Sequence, residues 1–310
     1  MRPTVVTILS TNYAGSHFVS LLLGSHSQAV HLDEVRHLIP SRTGRRIDCQ
    51  ICESLDDCPL VRKIDPAQIG QVYSTMLANL AEDGEHPLVM IDTSKKVSWA
   101  RRFIGDTTFR YQYIHLIRDP RALVRRSMLT HASPKAALHV RRKAALRGDR
   151  LQPQLLWAPQ WKVCAYKWLH ENQRITSFLN RYELDYQVVT YHDGTTDSIG
   201  QTRRLMDWIG LTPEPEQVEY WKFRHHMNAD EAGKLSITKL NKAGTIDLRW
   251  REFLSPDVAN AVVSNNDISS YLAGLSIEVC EQGLRHAPAP DILAYPMSPI
   301  DSDGPDRLAA

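Results

Sequence analysis

Apolar positions in this chain fall into short β-rich runs separated by stretches of helical spacing. The first run, Thr4-Val5-Val6-Thr7-Ile8-Leu9-Ser10, starts almost at the N-terminus. Pro87 to Thr93, Tyr111 to Ile117 and Tyr186 to Tyr191 repeat the pattern, and Gln28 to Glu34 is a shorter strand-like segment. Apolar spacing near 3.6 predicts helices over Phe18 to Leu23, Ile69 to Leu80, Lys162 to Leu179 and Thr202 to Ile209. Strands alternating with helices predict an α/β fold: three layers, with a central parallel sheet and helices on both faces. Such sheets bind ligands at the carboxyl ends of their strands. That rule nominates Asn12 to His17, Asp92 to Lys95, Arg118 to Arg121 and Tyr191 to Asp193.

The turn after the first strand, Thr11-Asn12-Tyr13-Ala14-Gly15-Ser16-His17, leads directly into a helix. A strand, tight turn and helix N-terminus aim backbone N–H groups at a phosphate. The turn lacks the Gly-Lys-Ser/Thr ending of a Walker loop, so it reads as a cradle for something other than ATP. In Arg118-Asp119-Pro120-Arg121, Asp119 suits an N-cap and Pro120 the first helical position. Arg118 then stands at the strand end, where a guanidinium grips a phosphate bidentately or pairs with a carboxylate to close the turn. Asp92-Thr93-Ser94-Lys95-Lys96 brings hydroxyls and two ammonium groups to the same sheet edge, with Lys96 the better candidate for a merely solvated lysine.

Together these elements resemble the sulfotransferases that use 3′-phosphoadenosine 5′-phosphosulfate (PAPS), whose fold is P-loop-like. The family's 5′-phosphosulfate loop matches Tyr13 to His17. Its Arg-x-Pro-Arg/Lys turn for the 3′-phosphate matches Arg118 to Arg121, with a Ser farther along the helix. Asp92 to Lys95 resembles the Asp-Ser-Ser-Lys step of bacterial members. Trp168 and Asn172, Val188 to Asp193, and Leu205 to Leu211 resemble later family elements, so the likeness runs over roughly residues 4 to 255. It implies sulfuryl transfer from PAPS to a hydroxyl or amine of a small-molecule or carbohydrate acceptor. Asn12, Tyr13, Ala14, Gly15, Ser16, His17, Arg118, Arg126, Ser127 and Tyr191 are the implied donor-binding residues.

The chain departs from the family pattern in two places. Tyr13 stands where the family has a cation that neutralises the bridging oxygen, and Lys95, with His17 as a helper, is the substitute. Ser127 lies nine residues after Arg118 rather than about eight, and one residue turns a helix by about 100°. Arg126 occupies the expected position, so both are candidates for the 3′-phosphate. For the base that takes the acceptor proton, the resemblance points to Glu34. His31 and His37 are alternatives, and pairing of Glu34 with Arg36 is the plain structural reading. In many relatives a His-His pair precedes a Gly-Asn step in a loop over the nucleotide. Here His225 and His226 precede Asn228 without that glycine. Asp247 to Arg251 reads as a segment docking a late helix.

Composition narrows the rest. The chain has 310 residues, 43% of them hydrophobic, and a net charge of only +2. That balance argues against bulk binding to nucleic acid. No run approaches the roughly 20 apolar residues of a membrane span, and no secretory signal is evident. Five cysteines, an odd number, fit a reducing compartment, so a cytoplasmic location is expected. Cys49, Cys52 and Cys58 form a C-x2-C-x5-C stretch, common in zinc sites and similar to stretches in some bacterial sulfotransferases. His31, His37 or His86 would complete a structural zinc set; the alternative is reduced thiols in a lid segment. Cys164 reads as core. The expected organisation is one domain over 1–286, carrying a Cys-containing insert at 40–65 and a basic lid-like insert at 125–160, then a Pro-rich tail at 287–310.

Two competing readings remain. A nucleotide-dependent kinase of related fold lacks its Gly-Lys-Ser/Thr, which ATP chemistry requires. A non-catalytic nucleotide-binding relative would fit Tyr13 in place of a cation.

Overall fold

The computed structural model describes residues 2–38, 49, 51–52, 57–146, 152–226 and 245–287. Five parallel strands form its main sheet: β1 (Thr4–Ser10), β2 (Ala29–His31), β3 (Val89–Lys95), β4 (Arg110–Ile117) and β5 (Tyr186–Thr190); a small antiparallel pair, Ile277–Val279 with Leu284–His286, lies apart from it. Their spatial order is β2-β3-β1-β4-β5. β1 matches its sequence prediction at both ends. β2 is shorter than the apolar run around it, and β3 runs two residues farther than expected.

The two sheet faces are read off alternate residues. Val6 and Ile8 of β1, Ile114 and Leu116 of β4 and Val189 of β5 pack against α1 (Ser16–Gly24) and the helix at Ser198–Ile209. Val5, Val30 and Met90 pack against Tyr73, Met76 and Leu80 of the helix at Val72–Glu82. Leu9 and Tyr113 pack on Ile175, Phe178 and Leu179 of a long helix at Gln160–Arg181. The result is the expected three-layer α/β arrangement, with the period of two along each strand dividing the layers.

From β1 the chain crosses to β2 on one side. From β3 it crosses back over β1 to β4 on the other. The crossovers therefore diverge at β1 and β4, which opens a crevice at their carboxyl ends.

The helix after β4 (Pro120–Thr130) has Asp119 as its N-cap, whose side chain accepts from the Arg121 N–H, and Pro120 at its start. In the basic insert, a helix at Pro134–Ala145 buries Val140 and Ala144 against Leu155 and Val163 and leaves Lys135, Arg142 and Lys143 outside. It is a packed helix with a solvated basic face. Arg147 and Arg150 of that insert lie outside the described residues, as do 288–310 of the expected tail. The long helix begins at Gln160 after Pro159, two residues before the predicted start at Lys162.

Candidate functional site: the crevice between β1 and β4

Two left-handed residues, Tyr13 (φ 65°) and Gly15 (φ 97°), shape the turn after β1 around the buried Ala14. Gly15 is required twice over. Its φ lies where side chains are strained, and a Cβ there would come within 2.4 Å of the Tyr191 ring. Gly15 is also the N-cap of α1, so no side-chain cap covers the first turn. Ser16, the first helical residue, is buried, and its hydroxyl has no partner among the described residues. A helix N-terminus with an unpartnered buried hydroxyl is arranged for an oxyanion.

Arg118 reaches this turn from the end of β4. Its guanidinium donates to the Tyr13 carbonyl (2.8 Å) and to Asp247 (2.9 Å) and lies 4.2 Å from the centroid of the Tyr191 ring. Trp168 holds the strand end by donating from Nε1 to the Arg118 carbonyl, and Asn172 pairs with buried His115 of β4. The Trp-x-x-x-Asn spacing thus anchors the long helix behind Arg118. The carboxylate expected of a turn-closing arginine exists, but it is Asp247, 129 residues away. Arg249 donates to the same carboxylate. Burial opposes ionisation of Asp247, yet these two guanidiniums hold its pKa below the ordinary value. Tyr191 donates to the Thr245 carbonyl (3.3 Å), so the chain around 245–247 closes one side of the crevice.

Arg126 lies over the Tyr13 ring, 4.4 Å from its centroid. Ser127, one residue on, lines a cleft of about 150 Å³ with Asn12, Tyr13, Lys167 and Trp168. The nine-residue spacing therefore separates the two candidates: Arg126 covers the tyrosine and Ser127 enters the cleft.

The end of β3 supplies the lysines. Asp92 is buried and accepts from Tyr73 (2.6 Å), Trp99 (2.8 Å) and both the N–H and hydroxyl of Ser94. Burial nonetheless pushes its carboxyl above the usual value. The β1–β3 register slips by one residue between Thr7 and Leu9, a bulge on β3, and Lys95 there has φ 62°. Lys95 is 9% exposed and pairs with Glu34. Lys96, expected to be solvated, donates to Asn12 Oδ1 at 2.8 Å, and burial lowers its pKa. It touches the turn between β1 and α1, a contact between segments 84 residues apart that no local pattern announces.

Glu34 is engaged on three sides, by Lys95, by His37 (3.3 Å) and by Arg36 (3.5 Å). Burial works against its ionisation, but the His37 hydrogen bond and the Lys95 charge bring its pKa down to about 2. His17, on the first turn of α1, pairs through Nε2 with buried Asp33 at 2.8 Å. His31 is enclosed within β2, bonded to Ser20, and burial holds it neutral.

The cysteines meet a histidine that was not expected. Cys49, Cys52 and Cys58 converge with His226 rather than with His31, His37 or His86. His31 is committed to Ser20, His37 to Glu34 and Arg36, and His86 is exposed. The Cys58 thiol and His226 hold the Cys49 thiol well below its usual range against burial. His225 packs on His31, with ring centroids 5.8 Å apart. Asn228 lies outside the described residues. Cys164 is buried, as expected.

Among solved structures, the sulfotransferase domain from the curacin biosynthetic pathway matches with a TM-score of 0.51 and 19% identity, over 84% of this chain and 96% of that one. Sulfotransferase STF9 from Mycobacterium avium matches with a TM-score of 0.47 and 13% identity, over 89% of this chain and 77% of that one. Retinol dehydratase in complex with androsterone and inactive cofactor PAP matches with a TM-score of 0.38 and 16% identity, over 88% and 81%. No family model and no curated protein matches the chain. With its five-stranded parallel sheet and its likeness to the curacin-pathway domain, the chain has the sulfotransferase fold.

Proposed function

We propose that this protein transfers a sulfuryl group from PAPS to a hydroxyl or amine of a small-molecule or carbohydrate acceptor. The observation that carries the reading is the β1–α1 turn: a left-handed Gly15 N-cap and a buried Ser16 hydroxyl without a partner among the described residues, facing Arg118 across the sheet's crevice. An oxyanion at that turn would meet the N-terminus of α1. Arg118, with Arg126 and Ser127 beside Tyr13, would hold the 3′-phosphate.

Sulfuryl transfer, like phosphoryl transfer, is served by positioning and by cationic donors aimed at developing charge. The acceptor oxygen forms a bond to sulfur while the bond from sulfur to the bridging oxygen breaks. Lys95 neutralises that departing oxygen, with His17 alongside, and Glu34 takes the acceptor proton. Paired with Lys95, Glu34 is a weak base at a pKa of about 2. When Lys95 turns to the bridging oxygen, Glu34 loses that charge and becomes more basic. One movement of Lys95 then serves both roles.

Titration calorimetry with 3′-phosphoadenosine 5′-phosphate and with ATP tests the donor, and mass spectrometry of acceptor mixtures incubated with PAPS tests the transfer. Binding of the bisphosphate and PAPS-dependent gain of a sulfuryl group are expected. Tight binding of ATP but not of the bisphosphate would overturn the reading. The Arg118–Asp247 pair, which occupies the proposed 3′ site, favours one second reading, a nucleotide binder without catalysis. Bisphosphate binding with no sulfated product across an acceptor panel would support it.

A further inference from the structure

Three thiols and one imidazole nitrogen gather at a single point beside the sheet edge. His226 Nδ1 lies 3.6 Å from Cys49 Sγ, 3.4 Å from Cys52 Sγ and 3.6 Å from Cys58 Sγ. All four ligand atoms fall within 4.8 Å of one another. Hydrogen bonding alone does not account for this set, because one ring nitrogen carries at most one proton and directs it at one acceptor. A metal does account for it. Zinc bonds of about 2.3 Å to sulfur and 2.0–2.1 Å to nitrogen, set at the tetrahedral angle, separate S from N by about 3.6 Å. All five cysteines are free thiols, so no disulfide competes for the three.

The surroundings agree with a metal centre. Glu85 Oε1 lies 3.7 Å from His226 Nε2, on the ring nitrogen that faces away from the thiols. A carboxylate there is the usual outer partner of a metal-bound histidine, fixing its tautomer and ring orientation. Cys49 and Cys58 are buried in the core layer built on Val30, Leu60 and Tyr73.

We propose that Cys49, Cys52, Cys58 and His226 bind one structural zinc ion that clamps the two outer layers together around the edge strand β2. The cysteines belong to the layer packed on the Val72–Glu82 helix. His226 follows the 3₁₀ segment Pro215–Lys222, whose Tyr220 belongs to the layer built on α1. β2 is the sheet's edge strand on that side, and an uncovered edge is open to pairing with other chains. Four protein ligands close the tetrahedron, which marks a structural rather than a catalytic ion. The clamp holds whether or not the transfer reaction proposed above is correct.

The test uses the full chain, purified without chelator or a metal-affinity step, then analysed for metal by mass spectrometry. One zinc per chain is expected. His226→Ala and Cys58→Ser should lose it, while Cys164→Ser, which alters a buried thiol outside the cluster, should keep it. If the cluster variants fail to fold, the native chain still decides the matter. Cobalt(II) exchanged into it should give tetrahedral visible bands and a thiolate charge-transfer band, saturating at one equivalent. Chelation should lower the melting temperature, and zinc should restore it. A chain that holds no zinc as purified, and gains neither zinc nor the cobalt bands after reduction and reconstitution, would overturn the proposal.

Discussion

The guanidinium of Arg126 lies 4.4 Å from the centroid of the Tyr13 ring, so a cation stands over the residue that the sequence resemblance aligns with a cationic position. An exposed cation–π pair contributes about 0.5–1 kcal/mol. A double-mutant cycle of Tyr13→Leu and Arg126→Ala, followed by urea unfolding, should give a coupling of about that size. Additive effects would mean that the stacking contributes nothing to the turn.

Asp247 and a bound phosphate would compete for the same guanidinium. Arg118→Ala should weaken bisphosphate binding by ~100-fold, since it removes a charge-assisted donor pair. Asp247→Asn should strengthen it by roughly tenfold, about the contribution of one charged hydrogen bond. Calorimetry on both variants checks the pair; equal affinities in Asp247→Asn and the native chain would sink the competition.

Gly15 faces the Tyr191 ring at a distance that leaves no space for a Cβ. Gly15→Ala should cost about 1–3 kcal/mol through left-handed strain and displacement of the ring. Because Arg118 stacks on Tyr191, bisphosphate affinity should fall with it. Adding Tyr191→Ala should relieve the clash but not the strain, so thermal melting should recover only in part.

Stability should fall with acid in two windows. His115 is buried and neutral, with burial lowering its pKa to about 4 from an ordinary 6.5. The unfolded chain takes the proton first, so stability declines as pH drops from about 6.5 to 4, by at most about 3 kcal/mol. Glu34, at about 2 against an ordinary 4.5, contributes stability that is complete above pH 4.5 and lost toward pH 2, on a similar scale. Urea melts across pH 7 to 3 should show a shallower upper decline in His115→Gln, the remainder coming from His31 and His225, which burial also holds low, and a shallower lower decline in Glu34→Gln.

The sheet was legible because its central strand β1 is buried along its whole length and reads as a mostly apolar run, and β3 and β4 carry shorter apolar runs. Asp119 and Pro120 announced their helix because caps act within a few residues. Asp247 on Arg118, Lys96 on Asn12 and His226 on the three thiols were not legible. Each joins segments 84 to 177 residues apart, and nothing in the local pattern of either partner encodes the other. The His225-His226 pair was visible as a motif, but only the packed structure assigns His226 to the cysteines.

The bulge in β3 has a bearing on how this site varies among sequences. One additional residue between Asp92 and Lys95 sets Lys95, at φ 62°, opposite Leu9 of β1. Removing that residue would pair the lysine with Leu9 in plain register and take away the left-handed bulge from which it now reaches Glu34. The position of this cation is therefore written in chain length as well as in residue identity. A gap of one residue in an alignment here would signify as much as the loss of the lysine.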